Sequence, residues 1–528
     1  MKRGAFVTPV VVCVGIVAGA QVAGQESPAQ QVAYIKASNP GMFDHFGDGG
    51  VLPGHNGRSI AVSRDGSLIA VGAAHEGSAA TGMNGNQNDD SAYNAGAVYV
   101  FTRNGNTVTQ QAYVKGTNTG AGDHFGSSVE LSADGNTMVV SAPFEASNAT
   151  GVNGNQADDS IPQAGAVYVF TRNGSNWTQQ AYLKASNTGR AGDDWDGDQF
   201  GSALALSEDG NTLAVSAVSE DSNAMGAKSS QADDSFNSAG AVYVFTRTGG
   251  TWTQQAYLQA DISTNTGLGD QFGFSISMSA NGNTLVVGVY DESGGGRAVN
   301  APVDPRKGGS GAAYVFTRSG AAWTKQAYLK AWNSDNGDSW GSQVALSADG
   351  NTIALGSLDE DCMCAGVHTD PKVGIDDQQA DTSSGAAAVF VRTGTSWQQQ
   401  AYIKPSNPSA GDQFGIRLAL SRDGNTLVVG AQTEDGSAQG VNGPQNDDAV
   451  EAGAVYVFTR TGTTWTQRAY VKGSNTEEFD EFGSTFALTP DGRTLVVGAR
   501  GEDSGSAGNP ADNSVDESGA AYVFQLTN

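Results

Sequence analysis

The chain has 528 residues, with 28 Lys and Arg against 55 Asp and Glu, and a formal net charge of −27 at neutral pH. Nucleic acid is excluded as a partner on that balance, because phosphates are held by basic groups that displace counterions, and docking to anionic membranes is disfavoured on the same ground. Glycine supplies 72 residues and cysteine three, so no disulfide framework supports the core.

Residues 1–24 read as a signal peptide, with Lys2 and Arg3 ahead of an apolar stretch from Ala5 to Ala20 and small residues at Val22, Ala23 and Gly24. The expectation is export, to the extracellular space, the cell surface or the periplasm. No later stretch approaches the roughly 20 apolar residues of a spanning helix, so membrane insertion is not expected. Residues 30–528 read as a single domain made from one repeated unit.

The first predicted strand, QQVAYIKAS from Gln30 to Ser38, is a solitary copy of the element that closes each later unit. An insertion without a counterpart follows, DGGVLPGHNG from Asp48. Seven apolar runs then recur at Gly96–Phe101, Gly165–Phe170, Gly240–Phe245, Gly311–Phe316, Gly385–Phe390, Gly453–Phe458 and Gly519–Phe524, spaced by 66 to 75 residues. Each unit predicts four strands. The first starts at an aromatic-Gly pair, as in FGSSVELS from Phe125, and an Asp-Gly turn leads to the second, TMVVSAP from Thr137. A long polar loop precedes the third, GAVYVFTR, and a tight Gly-containing turn leads to the fourth, WTQQAYLKAS from Trp177.

The last unit ends after its third strand. The solitary strand at Gln30 supplies what it lacks, which predicts an all-β fold: a seven-bladed β-propeller of four-stranded blades, its last blade closed three-plus-one by the N-terminal strand.

The aromatic-Gly pair and Val-Gly-Ala ending of FGIRLALSRDGNTLVVGAQ, from Phe414, resemble the FG-GAP repeats of the integrin α-subunit propeller. Bacterial FG-GAP proteins are more similar still, through ALSADGNTLVVGA-, GVNGNQADDS- and GAVYVFTR-like segments. The integrin resemblance implies calcium in the turn between the first two strands. Here Asp65, Asp134, Asp209, Asp349, Asp423 and Asp491 keep only the terminal Asp-Gly, and Asn281 replaces it in the fourth unit. The first ligand position holds Ala61, Ala205, Ser277, Ala345, Ala419 and Ala487, and Glu130 alone offers a carboxylate there, so structural turns are expected. The resemblance also implies that the second-to-third loops and the loops leading into the first strands share one face, the one integrins use for ligands.

Those second-to-third loops hold nearly all of the net charge of −27, which predicts an acidic face. Candidate ligand residues on it are Asp89, Asp90, Asp158, Asp159, Asp233, Asp234, Asp447 and Asp448 in NGNQxDDS-like segments, with Trp195 and Trp332 as stacking platforms. The alternative is that the Asp and Asn side chains cap their own turns. Asp194, Asp196 and Asp198, at alternate positions around Gly197, form the sharpest candidate for Ca²⁺. Asp44, Asp123, Asp198, Asp270, Asp338, Asp412 and Asp480 each stand two residues before the aromatic and are expected to accept backbone N–H groups. Cys362 and Cys364, near His368, offer either a soft-metal site or a local disulfide.

Of the five His residues only His45 and His124 occupy equivalent positions, and no H-E-x-x-H pattern occurs. The expectation is a non-enzymatic binding or adhesion module for an extracellular protein or glycan. A structural envelope component, or an enzyme with carboxylates in the central channel, are the alternatives.

Overall fold

A computed structural model describes residues 27–48, 57–189, 197–222, 231, 235–260, 269–302, 308–374, 382–506 and 508–527, and every regular element among them is a β-strand. In the first blade the strands Ile60–Val62, Leu68–Ala73, Ala97–Asn104 and Thr107–Val114 lie side by side in that order, all antiparallel. The same order recurs around the ring. Its seventh sheet combines Phe482–Leu488, Thr494–Ala499 and Ala520–Leu526 with the N-terminal Ala29–Ile35. Tyr34 lies opposite Tyr522 there, with ring centroids 5.2 Å apart, so the three-plus-one closure is as expected from the strand count. The innermost strands touch in succession, and Ile60–Val62 meets Phe482–Leu488 to complete the circle.

Third strands such as AVYVF are buried residue after residue because a neighbouring blade covers each face of the sheet, and such strands read as continuous apolar runs. Each of the seven hydrophobic clusters joins two adjacent blades: Val98 and Val100 meet Val140 and Tyr168, and the last links Val523 to Val71. The aromatic of each aromatic-Gly pair fills the same seam. Phe125 stands edge-on to Tyr168 at 5.3 Å, and Trp340 takes the equivalent place in the fifth blade. Gly96 must be glycine, since it has φ +77° and a side chain would meet the Phe125 carbonyl oxygen at 2.1 Å.

The tight turns lie on the face opposite the long loops, two in each of the first six blades and one in the seventh, whose outer strand comes from the N-terminal segment. Asp134 Oδ1 accepts from Ser132 Oγ at 2.6 Å and from the Asn136 amide at 3.0 Å, and the equivalent Asp or Asn does the same in the other blades. These oxygens serve the turn, as expected. Below them Arg247 lies 5.2 Å over the Trp252 ring, and Trp252 Nε1 donates to Gln180 of the preceding blade at 3.1 Å. Trp323, Trp397 and Trp465 repeat this bolt between blades.

Candidate functional site

The loop face has a buried storey that repeats and an exposed one that does not. In the buried storey, each Asp two residues before the aromatic is nearly inaccessible. Asp44, Asp123, Asp198, Asp338, Asp412 and Asp480 accept the amides of Gly41, Gly120, Gly189, Asp335, Ser409 and Glu477, which ties down the loop leading into the first strand. Burial pushes the Asp412 and Asp480 carboxyls up to about 8, and those of Asp44 and Asp123 to about 7, against the lowering effect of those amides.

Beside each Asp sits a second buried carboxylate that the sequence reading counted among the exposed loop charges. Glu76 receives Lys115 Nζ at 2.9 Å, Tyr113 Oη at 2.8 Å and the Ser78 amide at 3.1 Å. Glu145, Glu292, Glu360, Glu434 and Glu502 likewise hold Lys184, Lys330, Lys404, Lys472 and Lys36, all buried. The N-terminal strand therefore completes the seventh hub as well as the seventh sheet, through Lys36 and Tyr34. In the third blade Gln259 replaces the lysine and donates to Glu220 at 3.0 Å, and burial raises the Glu220 carboxyl to about 7. This corrects the charge expected of the face: seven of the loop carboxylates lie inside, six of them neutralised by lysine, so the surface is less acidic than the loop sequences imply.

Of the candidate ligand residues, Asp90, Asp159, Asp447 and Asp448 are exposed, while Asp89 and Asp158 are half-buried. Asp89 accepts the Ser91 amide at 3.1 Å, and Asp158 accepts Ser160 N at 3.0 Å and Oγ at 2.6 Å, which is the turn-capping arrangement. None of these Asp residues converges with two other His, Cys, Asp or Glu ligands among the described residues. The Asn that opens each segment supports the blade edge: Asn84 Oδ1 accepts the Tyr113 amide, Asn153 that of Tyr182 and Asn442 that of Tyr470. Asp194, Trp195, Asp196, Asp233 and Asp234 lie outside the described residues. Trp332 is half-buried against the seam between the fourth and fifth blades. Cys362 and Cys364 are joined as a local disulfide.

The exposed storey contains side chains that the sequence reading passed over. Among the described residues the large apolar groups open to solvent are Met42, Phe43, Tyr93, Met363, Val450 and Phe479, and all six belong to loops of this face. Phe43 and Phe479 are 48% and 56% exposed and adopt φ of 61° and 66°. Equivalent positions in three other units are Gly122, Gly337 and Gly411, with φ of 84° to 87°. A bulky residue in this left-handed region costs about 1–3 kcal/mol. Two residues later the backbone is again left-handed in all seven units, at His45, His124, Gln199, Gln271, Ser339, Gln413 and Glu481. Seven polar side chains of differing chemistry therefore occupy one repeated, strained position around the ring.

Inward of these, the innermost strands fill the axis. Arg58 of the first blade donates to the Val344 carbonyl of the fifth at 2.7 Å, and Arg417 donates to the Ser484 carbonyl at 2.7 Å. A narrow cavity there is lined by Arg58, Ser128, Ala203, Leu204, Ser275, Ile276 and Gln343. Glu130 is the sole carboxylate among the described innermost strands, and burial raises it to about 7 despite the nearby Arg58.

The FG-GAP repeat family matches three stretches of the chain, residues 108–170, 397–458 and 465–524. No curated protein matches the sequence. Among solved structures, one from Bacteroides uniformis described as a "putative 6-phosphogluconolactonase" is similar in shape, with a TM-score of 0.42 and 9% identity over 79% of this chain and 85% of that one.

Proposed function

Because the chain is an FG-GAP repeat β-propeller protein, we propose that it works as an exported, extracellular or cell-surface binding module that holds a protein or glycan on its loop face. The observation that carries this reading is the pair Phe43 and Phe479. Each is exposed, aromatic and held in a backbone conformation where equivalent units have glycine. Strain of this kind persists where it serves a purpose, and exposed aromatic groups are the usual anchors of binding surfaces. The surrounding storey of buried carboxylates gives these loops a rigid base. A binding role is favoured over catalysis because the described innermost strands carry Glu130 as their sole carboxylate. Calcium-assisted binding at Asp194, Asp196 and Asp198 belongs to the same proposal, in which Asp198 also accepts the Gly189 amide.

Glycan arrays and pull-downs of extracellular proteins, each with and without calcium, test the reading against the Phe43→Gly, Phe479→Gly double variant. The expected result is a ligand that the double variant loses by tenfold or more, while its thermal stability stays level or rises by up to about 1 kcal/mol. No ligand in either format, or unchanged binding by the double variant, would overturn it.

A further inference from the structure

On the loop face, where the first blade meets the seventh and the second, His45, Asp48 and His75 bring one ligand atom each within 4.8 Å of one another. His45 lies on the loop leading into the first blade and His75 on that blade's second-to-third loop, beside the Glu76 hub. Their rings meet edge to face with centroids 4.7 Å apart. His45 Nδ1 is 3.9 Å from Asp48 Oδ2. Its other nitrogen, Nε2, is 2.9 Å from Glu517 Oε2.

Two features set this group apart from an ordinary surface cluster. The Nδ1 atoms of His45 and His75 are both buried and have no hydrogen-bond partner, which is costly for polar atoms unless something else occupies them. The Glu517 carboxylate fixes the His45 tautomer from the far side, placing the proton on Nε2 and the lone pair on Nδ1. Carboxylates hold metal-binding imidazoles in this way.

We propose that His45, Asp48 and His75 form a binding site for a divalent transition metal of the zinc type, with a further coordination position open to water or to a ligand oxygen. Two imidazoles and one carboxylate suit a borderline cation, whereas Ca²⁺ wants six to eight oxygens. Zinc bonds of about 2.0–2.1 Å put tetrahedral ligand atoms about 3.3 Å apart, so binding draws the three side chains inward from their present spacing. Arg500 Nη1 approaches Asp48 Oδ2 at 3.8 Å, but its Nε and Nη2 are engaged by Glu481 at 2.6 Å each, which leaves the guanidinium anchored when Asp48 turns to a metal. The site does not depend on the identity of any macromolecular ligand.

Isothermal titration of the chelator-treated full chain with Zn²⁺ tests the proposal, together with Co²⁺ loading followed by visible absorption. The expected result is one tight equivalent of Zn²⁺ and a Co²⁺ spectrum with nitrogen ligation, both weakened at least tenfold in His75→Asn and in Asp48→Asn. Circular dichroism confirms that each variant is folded, and either variant suffices if the other is not. A wild-type chain that takes up no Zn²⁺, or folded variants that bind it as the wild type does, would overturn the assignment.

Discussion

The two faces of the ring are built from the same seven units and have diverged to different degrees. On the turn face each blade repeats one solution: an Asp or Asn caps the hairpin, and in five blades an Arg lies over a Trp at the outer edge. The loop face repeats its buried layer almost as faithfully, through the Asp that receives an amide and the Glu that receives a lysine. Above that layer the repetition ends. One left-handed position carries His, Gln, Ser or Glu, and a neighbouring one carries Gly or Phe. The repeated layers hold the ring together; the chemistry available to a partner resides in the layer that differs between units.

Breaking the repeated layer should have the largest effects. Removing residues 27–36 takes away the outer strand of the seventh blade together with Lys36 and Tyr34, and leaves Ala520–Leu526 as an open edge above an unpaired Glu502. Loss of the cooperative thermal transition and aggregation on gel filtration are expected; a monomer with an unchanged melt would refute closure by this strand.

Next in size is Lys330→Met, which strands Glu292 inside the fourth blade, since that carboxylate holds the lysine at 2.7 Å. Removing one partner of a buried pair costs about 3–5 kcal/mol, readable by urea denaturation. The third blade offers the converse. Gln259→Lys restores the missing cation beside Glu220 and should raise stability at pH 8, where Glu220 is ionised, with little gain at pH 5, where it is protonated. Equal effects at both pH values would contradict the role given to Glu220.

A smaller effect concerns the buried Asp layer. Burial raises Asp412 from its ordinary value of 3.8 to about 8, so the folded state favours its protonated form. The stabilisation this provides is fully present below about pH 4 and is lost as pH rises through 8. Asp412→Asn should therefore flatten part of the decline in urea midpoint between pH 5 and pH 9. A variant whose pH profile parallels the wild type would show that Asp412 does not titrate in that range.

Much of the ring was legible in the sequence, because its signals are local and recur. The solitary QQVAYIKAS strand identified the pairing of Tyr34 with Tyr522, and the Asp before each aromatic was readable as an acceptor of backbone amides. The Glu hubs were not recognised, although Glu76 and its equivalents recur as regularly. Their meaning depends on Lys115 and its counterparts, 39 positions away for the first blade, and a count of loop charge separates partners that the fold brings to 2.9 Å. Phe43 and Phe479 could have been found by aligning them with Gly122, Gly337 and Gly411, since Phe where sibling units have Gly is visible without coordinates. The grouping of His45 with His75 could not. It arises from two loops of unlike position in the repeat, and the equivalence of His45 with His124 pointed along the sequence to a different partner.

The separation of a supporting layer from a binding layer is tested most directly by measuring melting temperature and Zn²⁺ affinity together for His75→Asn and Lys330→Met. The account predicts opposite outcomes. His75→Asn should change stability by less than about 1 kcal/mol and lose Zn²⁺ binding, while Lys330→Met should melt well below the wild type and, where folded, bind Zn²⁺ within about a factor of two of it. Zinc retained by His75→Asn, or a melt lowered by His75→Asn as far as by Lys330→Met, would contradict it.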